Sequence, residues 1–146
     1  MLAIVVAVVA LQRLIGPDSH RSESPPGAEL TIIDGDTVRS AGAVYRLLGF
    51  DAPERGDRAL CDTERELAER TASRLQGLIA SGMPTLTRTA CPCSAGTEGS
   101  AACNEGRFCA SLQVDGRDVG EILIGEGLAQ PFVCSQTSCP PRRPWC

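Results

Sequence analysis

The sequence predicts a mainly β domain with packed helices, an α+β fold stapled by disulfides. Three observations predict it. Short runs rich in β-branched residues are separated by Asp-Gly and other turn signals; two stretches carry helix start and stop signals; and eight cysteines fall within 146 residues. A chain of this length forms one domain with a single modest core. Aromatic residues make up only 3%, so that core must be built from Leu, Ile, Val and Ala.

Taken in order, Leu2–Leu11 is an unbroken apolar run. It is long enough for the core of a signal peptide and short for a spanning helix, which needs about 20 apolar residues. Residues 1–15 are therefore expected to be a signal peptide or membrane anchor, and residues 16–28, polar and Pro-containing, a linker. A strand-like pattern begins at Glu29. It runs through Glu29–Ile33, then Thr37–Ser40 after an Asp-Gly turn, then Ala43–Phe50, which is apolar at both parities and so expected to be covered on both faces.

Thr63–Glu66 fits a capping box, and Leu67, Thr71, Leu75, Leu78 and Ile79 share one helical stripe that Gly82 and Pro84 bring to a stop. Thr85–Thr89 alternates like a strand. Cys91–Cys103, rich in Gly, Ser and Ala, reads as a bridged loop, and Arg107–Val114 as another strand. Asp118 and Glu121 cap a second helix that Gly127 ends. Three strands, a helix, two strands and a helix outline a five-stranded Greek-key barrel of the OB type, packed by two to three helices over residues 29–133. A Cys-rich tail, 134–146, follows.

The eight cysteines favour disulfides and an oxidising compartment over structural zinc, because the Cys91-Pro-Cys93 spacing is too tight for a zinc knuckle and the single His20 lies in the linker. Their pairing is not readable from sequence. The formal charge is −4, and all 14 basic residues are arginine. That balance argues against coating nucleic acid by bulk charge, but not against gripping one phosphate locally, a task suited to the planar arginine fork.

Two acidic segments carry the chemistry. The stretch Ile32-Ile33-Asp34-Gly35-Asp36-Thr37 reads as a hairpin turn or as half of a metal site. Asp51 and Glu54 follow the third strand, with Pro53 fixing the backbone between them. In a meander these ends can meet, and carboxylates without histidine or thiolate select a hard cation, Ca2+ or Mg2+. Arg46 stands inside an otherwise apolar strand, where an unpaired charge is costly. It is expected either in a buried ion pair with these aspartates or aimed at a phosphate beside a metal. Arg107, after Gly106, is a second such arginine.

The three motifs IIDGDTVR, YRLLGFDAPE and GRFCASLQVDGRDVGEILIGEGLA, in that order, resemble the staphylococcal (micrococcal) nuclease family of thermonuclease-like domains, over Glu29 to Phe132. The resemblance implies an OB-type barrel and Ca2+-dependent hydrolysis of phosphodiester bonds in DNA and RNA. By position it implies Asp36, Asp51 and the backbone carbonyl of Ala52 as calcium ligands, with Asp34 arranging the surroundings. It implies Glu54 as the carboxylate that activates the attacking water, and Arg46 and Arg107 as the pair that holds the scissile phosphate. Asn104 and Glu105 stand where family members often carry Lys-Tyr, and the tyrosines that often follow the second helix are replaced by Pro131-Phe132-Val133.

The expectation is thus an exported nuclease, a monomer, periplasmic or extracellular, either free or attached to a membrane through its N-terminal segment. Its substrate would be single-stranded or locally open DNA, or RNA. The alternative is a non-catalytic nucleic-acid- or protein-binding module on the same fold. Arg142, Arg143 and Trp145 of the tail are expected chiefly in a disulfide-pinned terminus, with nucleic-acid contact the second reading.

Overall fold

The computed structural model describes residues 29–146, so the expected signal or anchor segment (1–15) and linker (16–28) lie outside the described residues. The chain order is β1 (Thr31–Asp34), β2 (Thr37–Ser40), β3 (Ala43–Leu47), β4 (Gly49–Asp51), α1 (Asp62–Ser81), β5 (Pro84–Thr89), β6 (Phe108–Val114), β7 (Arg117–Asp118), α2 (Val119–Gly125) and β8 (Gln130–Phe132). The fold is α+β. Its main sheet runs β1-β2-β3-β6-β5, with β7 paired to β6, and β4 and β8 form a separate two-stranded ribbon. All pairings are antiparallel except β3 with β6, which is parallel and sets Tyr45 opposite Phe108 and Arg46 opposite Cys109.

The third run, expected as one strand from Ala43 to Phe50, is two. Gly49 takes a left-handed φ of 95°, and the chain leaves the main sheet there to pair with β8. The expectation that this run is covered on both faces holds only at its end. Ala43 to Arg46 are half-buried, whereas Leu47, Phe50 and Asp51 are buried. The core gathers Val38, Leu47 and Phe50 from the first half with Leu75 of α1, Leu112 of β6 and Leu123 of α2. A second, smaller cluster is built on Cys91, Cys103 and Cys109.

The start of α1 also differs from expectation. Thr63 is inside the helix; the N-cap is Cys61, with no side-chain cap of its own. The buried Glu64 instead ties the preceding loop to the helix start, accepting from the backbone N–H of Leu60 at 2.7 Å and of Glu54 at 3.1 Å. Helix α2 behaves as read: Asp118 accepts from Glu121 N–H at 3.1 Å, and the N–H of Gly127 (φ 72°) donates to Ile124 at 3.0 Å.

All eight cysteines are bridged, as Cys61–Cys146, Cys91–Cys109, Cys93–Cys103 and Cys134–Cys139. The first ties the tail to the N-cap of α1. The next two bind the loop after β5 to β6 and to itself. Among the described residues no helix is long and apolar enough to cross a membrane.

Candidate active site

The site lies where the β1–β2 turn, the end of β4 and the loop after it converge. Gly35 makes the approach possible. A Cβ there would stand 2.6 Å from Thr71 of α1 and 2.8 Å from the Ala52 side chain, so only glycine lets the turn close on both. Asp36, 6% exposed, is then locked to the opposite segment: its Oδ2 accepts from the Ala52 N–H at 2.8 Å, and its Oδ1 from the Thr37 hydroxyl at 3.0 Å. Asp36 and Asp51, expected to meet, are joined by Arg46. Its guanidinium lies 2.9 Å from Asp36 Oδ2 and 3.4 Å from Asp51 Oδ1.

Arg46 also donates to the carbonyls of Asp36, Leu47 and Phe50, at 3.3, 3.0 and 3.1 Å. It is therefore in the buried ion pair that was one of its two readings. Burial pushes its pKa down, the nearby Arg107 and Arg142 charges add to that, and the two aspartates oppose it. Burial likewise pushes Asp36 above the usual carboxylate value, against the pull of Arg46 and the Ala52 N–H. Asp34 is pushed up in the same way, opposed by its ion pair with Arg58 and reinforced by Asp36 and Glu54.

Arg107 is brought to the same place by the parallel pairing of β3 and β6. The chain before it turns through three left-handed residues, Asn104, Glu105 and Gly106. Its guanidinium then donates to the carbonyl and side-chain oxygens of Asn104, at 3.0 and 3.1 Å, and to the Thr37 hydroxyl at 3.4 Å. Glu105, one of the two residues that stand in place of the family's Lys-Tyr, is 3.7 Å from that guanidinium and largely exposed. Glu54 sits at the rim, its Oε2 3.2 Å from Arg58.

The sequence reading did not place four further participants at this site, although it did expect Arg142 and Trp145 in a disulfide-pinned tail, as Cys61–Cys146 makes them. Arg58 links Asp34 to Glu54. Glu64 fixes the backbone at Glu54. Arg142, from the tail, pairs with Asp51 Oδ1 at 2.6 Å and with Glu54 Oε1, and donates to the Ala52 carbonyl at 3.2 Å. Burial works against the Arg142 charge, but its hydrogen bonds to Asp51 and Glu54 outweigh it and hold its pKa above the ordinary arginine value. Trp145 adds an indole N–H to Asp51 Oδ2 at 3.3 Å. The one available signal was the pair of cysteines, Cys61 beside the acidic segment and Cys146 beside these residues, but nothing in sequence joins them.

Among the described residues no group of three or more His, Cys, Asp or Glu side chains is spaced to hold a metal ion. One expected ligand, however, is a main-chain carbonyl. The oxygens of Asp51, Ala52 and Glu54 all converge on one cationic group, the Arg142 guanidinium, and Asp34 Oδ1 is buried with no hydrogen-bond partner. An all-oxygen set that already gathers around a positive charge fits a hard cation such as Ca2+. Beside it, a cavity of about 740 Å³ opens between Arg46, the bridged loop at Cys91–Ser94 and the tail loop at Cys134–Cys139. The chain matches no model of a known protein family, and no curated protein matches it.

Proposed function

We propose that this chain is a thermonuclease-like phosphodiesterase that hydrolyses DNA or RNA with the help of Ca2+, in a periplasmic or extracellular setting. The observation that carries the reading is the convergence of Arg46, on β3, and Arg107, immediately before the parallel β6, beside carboxylates at adjacent strand ends. Arg46 bridges Asp36 and Asp51, and Arg107 reaches Thr37, the residue next to Asp36. In keeping with it, we read the strand order β1-β2-β3-β6-β5, with its parallel β3–β6 step, as an OB-type Greek-key barrel; no β5–β1 hydrogen bonding closes it among the described strands. Four disulfides support the oxidising compartment.

In this reading Asp36, Asp51 and the Ala52 carbonyl hold the ion. Bound there, Ca2+ supplies a fixed positive charge that neutralises a phosphate and polarises its P–O bonds. The chain's own groups do the rest. Glu54 takes the proton of the attacking water, so that one P–O bond forms as the ester P–O bond breaks. Arg46 and Arg107 donate to the phosphate oxygens as their charge grows, an interaction strongest in the transition state. Asp34 and Arg58 hold Glu54 at the rim, and Glu64 fixes its backbone.

A binding module on the same scaffold is the second reading, favoured by one observation: both Glu54 oxygens are already paired, with Arg142 and Arg58. The test is cleavage of single-stranded DNA by the full chain, folded under oxidising conditions, with Ca2+ or with excess chelator. Cleavage should need calcium, and Glu54→Gln should lower the rate by about 10²–10⁴-fold. Wild-type cleavage by Glu54→Gln, or none by a folded wild-type protein, would overturn the enzyme reading.

A further inference from the structure

Residues 133–146 form no helix or strand, and the sheets are complete at Phe132, yet this segment returns across the molecule to the carboxylates. Cys146 is bonded to Cys61, at the N-cap of α1, which places Arg142 and Trp145 over the loop that carries Ala52 and Glu54. Between them and their neighbours the site is fully subscribed. Asp51 Oδ1 is shared by Arg46 and Arg142, and Asp51 Oδ2 takes the Trp145 indole. Glu54 Oε1 takes Arg142 and Oε2 takes Arg58, while the Ala52 carbonyl accepts from Arg142.

Arg142 therefore binds two of the three ligand groups that the calcium reading assigns to the ion, Asp51 and the Ala52 carbonyl, and the carboxylate it assigns to water activation, Glu54. A guanidinium and a divalent cation cannot share them: like charges a few ångströms apart repel strongly in a partly buried site. The side chain of Arg142 is 44% exposed, and its bonds go to the Asp51 and Glu54 side chains and the Ala52 carbonyl, so it can leave without breaking a strand pairing. The disulfide keeps it near once it has left, at the high effective concentration of a tethered group.

We propose that Arg142 is an internal competitor for the cation site: with the tail docked, its guanidinium occupies Asp51, the Ala52 carbonyl and Glu54, and Ca2+ binds by displacing it. The proposal rests on the calcium reading given above. It predicts a site silent at low Ca2+, in which the water-activating carboxylate and two of the ion's ligands are released by one event. A competitor of this kind scales the observed affinity by the fraction of molecules in which it is undocked.

The experiment is calorimetric titration of Ca2+ into the full chain, with disulfides intact, for wild type, Arg142→Ala, Arg143→Ala and a Cys61→Ser/Cys146→Ser double variant. With the tail docked in nine molecules of ten, Arg142→Ala binds Ca2+ about tenfold more tightly. The double variant frees the tail without removing a charge and gains affinity in the same direction. Arg143→Ala, which makes the same change in net charge away from the ligands, stays within about twofold because exposed charges are screened. Wild-type binding with no gain in Arg142→Ala and the double variant overturns the competitor and leaves the calcium reading standing. An equal gain in Arg143→Ala also overturns the competitor, since bulk charge then explains it. No binding by any folded form at millimolar Ca2+ overturns both.

Discussion

Arg46 and Arg142 approach the same oxygen, Asp51 Oδ1, at 3.4 and 2.6 Å, and the protein holds them in opposite ways. Arg46 lies in β3 between two neighbouring strands, its side chain 12% exposed, donating to three backbone carbonyls as well as to two carboxylates. Arg142 lies in a segment without helix or strand, held by the carboxylates, one carbonyl and the disulfide four residues on. The shorter contact belongs to the less embedded residue. Charge pairing at one oxygen therefore says little about which partner is architecture and which is occupant; the surrounding hydrogen bonds decide it.

Mutations sharpen that contrast. The largest effect is expected from Arg46→Met, which leaves Asp36 without its buried partner and removes half of Asp51's. Denaturant unfolding with calcium chelated should show a loss of about 3–5 kcal/mol, the usual consequence of breaking a buried pair from one side. The Cys61→Ser/Cys146→Ser variant comes next. Its bridge spans a sequence separation of 85 residues. Chain-entropy reasoning for a loop of that length sets an upper figure of about 4.6 kcal/mol, and disulfides typically deliver about 2–4 kcal/mol, the loss expected in the same measurement.

Glu64→Gln is expected to lose about 1 kcal/mol, because one of two partly buried backbone N–H groups loses a charged acceptor. Arg142→Ala should change stability by less than about 1 kcal/mol, since Asp51 keeps Arg46 and Trp145 and Glu54 keeps Arg58. If Arg142→Ala destabilised the fold as much as Arg46→Met, the distinction between architecture and occupant would collapse.

What could be read in the sequence divides along similar lines. Features set by neighbouring residues were legible: the Asp-Gly turn that presents Asp36, the Asp118 cap, the Gly127 stop, and the carboxylates at the ends of β1 and β4. Features set by distant residues were not. The break between β3 and β4 is imposed by β8, some eighty residues downstream of Gly49, whose own glycine gives no hint of the partner. Thr63 looked like a cap because the motif is local, but the N-cap lies two residues earlier at Cys61, and Glu64 reaches back to the Glu54 N–H across the loop. The Arg46 alternatives, ion pair or phosphate ligand, stayed open because both place the same charge in the same strand. The place of Arg142 at the site was invisible because only the folded position of Cys61–Cys146 brings it home.

The parallel step between β3 and β6 has a consequence in time as well as in space. Arg46 and Arg107 belong to strands separated by the whole of α1, β5 and the bridged loop, so they meet only after that intervening chain has been organised. Pairings of such long range form late, since the loop-closure entropy must be met before the contact rewards it. The nascent chain consequently has no stage at which a half-made site carries both arginines. Any activity that depends on the pair therefore reports that β3 and β6 have come together.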